Sequence, residues 1–305
     1  MHTLHSDIAF KAVDGVEIAL DVHELPGAEP RPAMLYFHGG ALINGGKPMP
    51  RVLLDLFAEW GYAGVTANYR LCPEAKWPAY HEDILDAYRW VLENGLEYGI
   101  DPERVGVCGG SAGGHLALLV GATATPKPCA VVSFWGYGDL AARWASAPDD
   151  YYTSLPPVDG DAARRGIDHG VLTETSDPRR GDFYHYCRQQ GTWARAILGY
   201  GPDERPDLYE QASPERLVTP DFPPTFFLHG TADTDVPFSA AETMHAALAA
   251  NAVESHLAAI EGGPHGLWGT TKSWAGLEEP QVSAAIERLR EFLATHLDAP
   301  NGDGS

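Results

Sequence analysis

Cysteine is scarce in this sequence, with four in 305 residues: Cys72, Cys108, Cys129 and Cys187. They are too scattered for a disulfide framework, and no C-x-x-C pair offers a zinc site. Cys108 and Cys129 lie in or beside apolar runs, so we expect reduced, structural thiols in a cytoplasmic protein and no metal centre. Basic residues are also few, 21 Lys and Arg against 42 Asp and Glu, for a formal net charge of -21. Phosphates of a nucleic acid or an anionic bilayer would be repelled. The surplus acid serves solubility. No apolar run approaches the ~18 residues of a membrane span. The opening residues Met1-His2-Thr3-Leu4-His5-Ser6-Asp7 have neither the basic nor the apolar segment of a secretory leader, so none is expected. The glycine cluster at Gly109 does not match G-x-G-x-x-G, and no G-K-[ST] occurs, which argues against a dinucleotide or phosphate loop and for no cofactor. No internal repeat is visible.

What is present can build a core: 44% of the residues are hydrophobic and 10% aromatic. Val16, Ile18, Leu20 and Val22 alternate with polar residues, the period of a half-exposed strand. With Ile8-Ala9-Phe10-Lys11 before it and Asp14-Gly15 between, an antiparallel hairpin is expected. From residue 33 onward, short apolar runs alternate with stretches of helical spacing. The runs are 33–37, 64–69, 104–108, 130–135, 225–228 and 255–260. That rhythm predicts a mostly parallel sheet with helices on both faces. Ser239 with Glu242 reads as a capping box opening a helix to about Ala250. The rhythm breaks between 140 and 222, a stretch rich in Pro, Gly, Asp, Tyr and Arg. Some 80 residues without a strand signal are too many for one loop. We therefore expect a core of residues 1–139 and 223–300, an inserted helical cap over 140–222, and a disordered tail at 301–305.

The chemistry centres on Gly109-Gly110-Ser111-Ala112-Gly113-Gly114, which follows a strand and precedes a helix. This G-x-S-x-G pattern is a nucleophile elbow: the turn is so tight that a Cβ on either side of the serine would clash. A serine hydroxyl needs a base, usually an imidazole held in one tautomer by a carboxylate, and N–H donors for an oxyanion. In an open parallel sheet these groups gather just after strand ends. Asp233 follows the strand ending at Leu228, His265 the one ending at Ile260, and His38-Gly39-Gly40 the one ending at Phe37. Ser111, Asp233 and His265 stand in the chain order expected of such a triad. Asp235 is the rival acid, disfavoured by the Gly230-x-x-Asp233 spacing. His115, on the helix after the elbow, reads as a packing residue, His229 as part of a tight turn, and His38 as a pin for its own loop.

These motifs resemble the α/β-hydrolase esterases and lipases related to hormone-sensitive lipase. The likeness rests on His38-Gly39-Gly40-Ala41, the Ser111 elbow, Gly230-x-x-Asp233-x-x-Val236-Pro237 and Pro264-His265-Gly266. Tyr69-Arg70-Leu71-x-Pro73-Glu74 and Asp101-Pro102-x-Arg104-Val105 are also similar to family signatures. The resemblance implies an α/β-hydrolase fold and a cofactor-independent serine hydrolase. Its catalytic residues would be Ser111, Asp233 and His265, and its oxyanion hole Gly39, Gly40 and Ala112; beside that resemblance, we expect Ala41, Trp268 and the aromatic cap to shape an apolar acyl or aryl pocket. Two positions depart from lipase-like members: Ala41 replaces a third glycine, and Gly110 replaces an acidic residue. The second change points to a neighbouring carboxylesterase-like or feruloyl-esterase-like branch. The expected partner is a small or medium-sized apolar or aryl ester. Other acyl bonds (lactone, thioester, aryl formamide, peptide) use the same triad, and a non-catalytic binding protein is the remaining alternative. A homodimer through an edge strand or the terminal helix is left open.

Overall fold

A computed structural model describes residues 2–48, 50–167, 170–266 and 279–298. Trp268 and the tail 301–305 lie outside these residues. The N-terminal hairpin pairs β1 (Thr3–Val13) with β2 (Val16–Glu24) in antiparallel register. Asp14 and Gly15 close it at φ of 53° and 78°, the positive pair that matches the twist of two adjoining strands.

Six further strands complete one eight-stranded sheet: β3 (Arg31–Phe37), β4 (Ala63–Ala67), β5 (Ile100–Gly110), β6 (Val131–Phe134), β7 (Thr225–Gly230) and β8 (Ser255–Ile260). The order across the sheet is β1-β2-β4-β3-β5-β6-β7-β8, antiparallel through β2–β4 and parallel from β4 to β8. Both faces are covered, which is why these strands read as continuous apolar runs. Along β3 the pleat sends Ala33, Leu35 and Phe37 into one core and Met34 and Tyr36 into the other. Helices α2 (Ala79–Asn94), α3 (Ala112–Thr123) and α10 (Ser239–Ala250) cover the first face through Ile84, Leu116 and Met244. Helices α1 (Arg51–Glu59) and α11 (Pro280–Leu293) cover the second through Phe57, Ile286 and Leu289.

The capping box does not form. Phe238 is the N-cap of α10, and no side chain caps it. The amides of Ala240 and Ala241 bond the carbonyls of Pro237 and Phe238. Pro237, with its fixed φ, thus starts the winding and leaves Ser239 inside the helix.

Among the described residues, six α-helices lie between β6 and β7: α4 (Arg143–Ser146), α5 (Asp150–Ser154), α6 (Gly160–Arg164), α7 (Pro178–Gln190), α8 (Trp193–Leu198) and α9 (Pro206–Ala212). Among the described residues there is no strand in this stretch. Arg180 of α7 is fully buried. It donates to the carbonyls of Ile43 (2.6 Å) and Cys72 (2.5 Å) and to both Glu74 oxygens (2.9 and 2.8 Å). A guanidinium in this position must be paired, because a lone buried charge costs several kcal/mol. These bonds hold the helical segment against the loops that follow β3 and β4. Strand β3 lies between β4 and β5, so the chain leaves β3 in one direction and returns on its other side. The crevice at the carboxyl ends of β3 and β5 is the switch point where α/β sheets place their ligands.

Candidate active site

Ser111 follows β5 directly and caps α3 with φ 56° and ψ -121°. An L-residue in this region carries strain of about 1–3 kcal/mol and persists only when its surroundings impose it. Here close backbone packing does so. A Cβ on Gly113 would land on the carbonyl oxygen of Phe37, and one on Gly109 would land on the Gly113 backbone. Gly181 in α7 would meet nothing within 4 Å. Gly113→Ala should therefore cost about 2–3 kcal/mol or more and lower Tm by roughly 5–10 °C. Gly181→Ala should be neutral or slightly stabilising in the same thermal melts. Equal melting points for the two variants would contradict the steric account.

The loops after β7 and β8 bring Asp233 and His265 to the serine. His265 Nε2 stands 3.1 Å from Ser111 Oγ, and Nδ1 stands 2.7 Å from Asp233 Oδ2. A carboxylate can only accept here, so Nδ1 carries the proton and Nε2 is left to accept from the serine. Asp233 Oδ1 accepts from the amides of Asp235 (2.8 Å) and Val236 (2.9 Å). His229 Nε2 lies 3.1 Å from Asp233 Oδ2 and 3.0 Å from the Val236 carbonyl, and with two acceptors facing it this nitrogen must be the donor. Burial alone would raise the pKa of Asp233. The bonds from His229 and His265 outweigh it and hold the carboxyl far below its ordinary value. Burial likewise opposes protonation of His265. The Asp233 bond and the charges of Asp235 and Asp233 overcome it, against Arg188, and the net shift is upward.

Gly39, Gly40 and Ala41 line the same cavity as Ser111. A Cβ on Gly39 would come within 2.8 Å of the Gly110 carbonyl, so the loop after β3 runs against the elbow. Gly40 takes φ 106°, followed by Ala41 at 56° and Leu42 at 63°. The carbonyl of Gly40 closes this turn by accepting from Ile43 and Asn44, both at 2.9 Å. Ala112 opens α3, and an amide in a first helical turn has no carbonyl partner within its helix. Trp193 of α8 donates its Nε1–H to the Ala41 carbonyl at 3.1 Å.

His38 and His115 are structural in their contacts. The His38 ring stacks on Tyr69 with centroids 4.3 Å apart, and its Nδ1 bonds the Gly39 carbonyl at 2.7 Å. Burial pushes its pKa down to about 4. His115 is fully buried, stacks on Tyr137 at 4.6 Å and bonds that residue's carbonyl at 3.1 Å. It is likewise pushed down by burial, to about 3.

The cavity beside Ser111 measures about 370 Å³, with Tyr36, Ile43, Trp135 and Tyr184 as apolar walls and Asn44 and Asp235 among the polar ones. Sequence reasoning missed three contributions. His229 contacts the acid rather than merely closing a turn, and its place four residues before Asp233 was the available signal. Asp235 faces the Nε2 side of His265 at 3.4 Å, a position no local spacing reveals. Tyr152, Tyr184 and Arg188 converge on it from helices distant in sequence. Among the described residues no cluster of His, Cys, Asp and Glu could hold a metal ion.

A doubly covered, mostly parallel sheet carries a serine–histidine–aspartate relay at its carboxyl edge, and that combination defines the class of the protein. The chain belongs to the alpha/beta hydrolase fold family, whose family model matches residues 34–269. It is 31% identical over 247 residues to Esterase LipQ of Mycobacterium tuberculosis, an alignment covering 80% of this chain and 52% of that protein. It is 27% identical over 216 residues to Esterase LipC of the same organism, covering 70% and 47%. The chain thus spans about half the length of these curated relatives. Among solved structures it is similar to an acetyl ester-xyloside bifunctional hydrolase from Caldicellulosiruptor lactoaceticus. There the TM-score is 0.69 at 22% identity, over 95% of this chain and 96% of that one. It is also similar to Thermogutta terrifontis esterase 2 phosphoramylated by tabun, with a TM-score of 0.68 at 22% identity over 98% and 97%. At that identity the two structures speak for the fold. No described helix is long and apolar enough to cross a membrane.

Proposed function

We propose that the protein hydrolyses carboxylic esters through an acyl-enzyme on Ser111, without a cofactor. The observation that carries this reading is the relay itself, 3.1 Å from Oγ to Nε2 and 2.7 Å from Nδ1 to Asp233. Ser111 Oγ attacks the ester carbonyl carbon while Nε2 takes the hydroxyl proton. The carbonyl π pair moves onto its oxygen, where the N–H groups of Gly39, Gly40 and Ala112 stabilise the charge. Collapse breaks the bond to the alkoxide, which leaves with the proton from Nε2. Water then repeats the sequence: it gives a proton to Nε2, attacks the acyl carbon, and frees Ser111 and a carboxylic acid. Asp233 keeps the imidazole in the working tautomer, and His229 supports Asp233 from behind. The names of the curated relatives, both esterases, support the reaction class. Residues 140–222 act as a cap over the site, as their bonds to the loops after β3, β4 and β7 support. The cavity is at the small end of the ~300–1,000 Å³ usual for ligand sites. Its aromatic walls suit a small or medium-sized acyl group.

The test is turnover of p-nitrophenyl acetate together with stoichiometric labelling by a fluorophosphonate, the adduct being located by mass spectrometry. An adduct elsewhere than Ser111, or no turnover, would end the proposal. The pH profile is a second check. His265 works as a base only when neutral, so kcat/KM must rise with pH through its pKa. That pKa is raised above the ordinary 6.5. The midpoint of the acid limb should therefore lie above 6.5, and a midpoint below it would contradict the electrostatics described here.

A further inference from the structure

The two oxygens of Asp235 have unequal surroundings. Oδ1 accepts from the Tyr184 hydroxyl (2.5 Å), the Tyr152 hydroxyl (2.9 Å) and Arg188 Nη1 (2.9 Å). Among the described residues Oδ2 faces only His265 Nε2, at 3.4 Å, and Asp235 lies on the wall of the Ser111 cavity. The carboxylate cannot swing away. Arg188 is buried, its Nη2 is held by Asp149 at 2.7 Å, and its guanidinium sits 4.8 Å from the Tyr152 ring centroid. One guanidinium therefore serves two carboxylates, and the acceptor capacity left over points into the site. A network needed only to fasten α7 to the loop after β7 would have no reason to leave an anionic oxygen beside the reacting atoms.

The position of that oxygen has a chemical meaning. Nε2 hands its proton to the departing alcohol, so the ester oxygen of the leaving group must come within hydrogen-bond reach of Nε2. Oδ2 then neighbours the carbon chain attached to that oxygen. A hydroxyl on the adjacent carbon can donate to Oδ2. A plain alkyl chain there would strip water from a carboxylate and return nothing, a cost that works against such substrates.

We propose that Asp235 is a specificity-determining residue that selects the alcohol half of the ester, favouring monoesters of polyols over esters of simple alkanols. The proposal rests on the ester-hydrolase reading above and adds the leaving group to it. A hydrogen bond to a charged acceptor in a partly open site corresponds to roughly ten- to a hundredfold in kcat/KM.

The experiment compares 2-hydroxyethyl acetate with 2-methoxyethyl acetate by titrating released acid. The two leaving alcohols have similar inductive effects, and only the first has an O–H to donate. The native protein should prefer the hydroxyl ester by about tenfold or more. In Asp235→Asn and Asp235→Ala the ratio should fall to near one. Taking the ratio within each variant cancels any general loss of activity or folded fraction, and the asparagine keeps an oxygen for Tyr184 and Arg188. A ratio near one in the native protein overturns the proposal with no variant needed. A large ratio that survives both substitutions overturns the assignment to Asp235. So does a purely electrostatic outcome, in which the acid limb of the pH profile moves equally for both esters while their ratio stays. Failure of the native protein to turn over either ester or p-nitrophenyl acetate would instead count against the hydrolase reading itself.

Discussion

Ser111→Ala should lower kcat for p-nitrophenyl acetate by about 10⁶, the scale seen when the nucleophile of such a relay is removed. The fold should be nearly untouched. Alanine occupies φ 56° with the same Cβ as serine, and among the described residues the hydroxyl makes one side-chain bond, at 3.1 Å to His265. Thermal melts of the variant should overlay the native ones while fluorophosphonate labelling disappears. Among the described residues, His115 on α3 cannot take over. His115 is buried, with Nδ1 committed to the Tyr137 carbonyl at 3.1 Å. Native-like turnover by the alanine variant would therefore remove Ser111 from the mechanism altogether.

The elbow was legible in the sequence because its constraint is steric and local. Glycines at 109 and 113 are required wherever a strand turns this sharply into a helix, and Phe37, Gly109 and Gly113 do crowd one another. Asp233 and His265 were legible because parallel strands all present their carboxyl ends at one edge. The residue after a strand is then near the residue after the next strand, however far apart the two are in the chain. The network around Asp235 obeys no such rule. Arg188 reaches it from 47 positions away, Tyr184 from 51 and Tyr152 from 83. These residues arrive through the packing of short helices whose placement no periodicity announces. The capping box at Ser239 failed for a related reason. The pattern was present, but Pro237 offered a competing start two residues earlier.

Asp233→Asn should lower kcat by about 10⁴ with little change in KM, and Asp235→Asn should cost far less on an ester without a second hydroxyl. The carboxylate of Asp233 accepts on all sides: two backbone amides on Oδ1, and His265 and His229 on Oδ2. Asparagine has one accepting oxygen, so one side must face an NH₂. The amides of Asp235 and Val236 cannot give up their protons, whereas an imidazole can change tautomer. The oxygen will therefore stay with the backbone, and the NH₂ will face His265. That forces a bare Nδ1 and a protonated Nε2, which cannot take the proton from Ser111, and a wrong tautomer of this kind costs about 10⁴. Asp235 would deepen the fault, since its Oδ2 lies 3.4 Å from Nε2 and would accept the misplaced proton. The double variant Asp233→Asn/Asp235→Asn should accordingly be no slower than Asp233→Asn alone. These constants should be measured well above the acid limb, so that protonation of His265 does not contribute. The reverse ranking, with Asp235→Asn the crippled variant and Asp233→Asn near native, would exchange the roles of the two carboxylates.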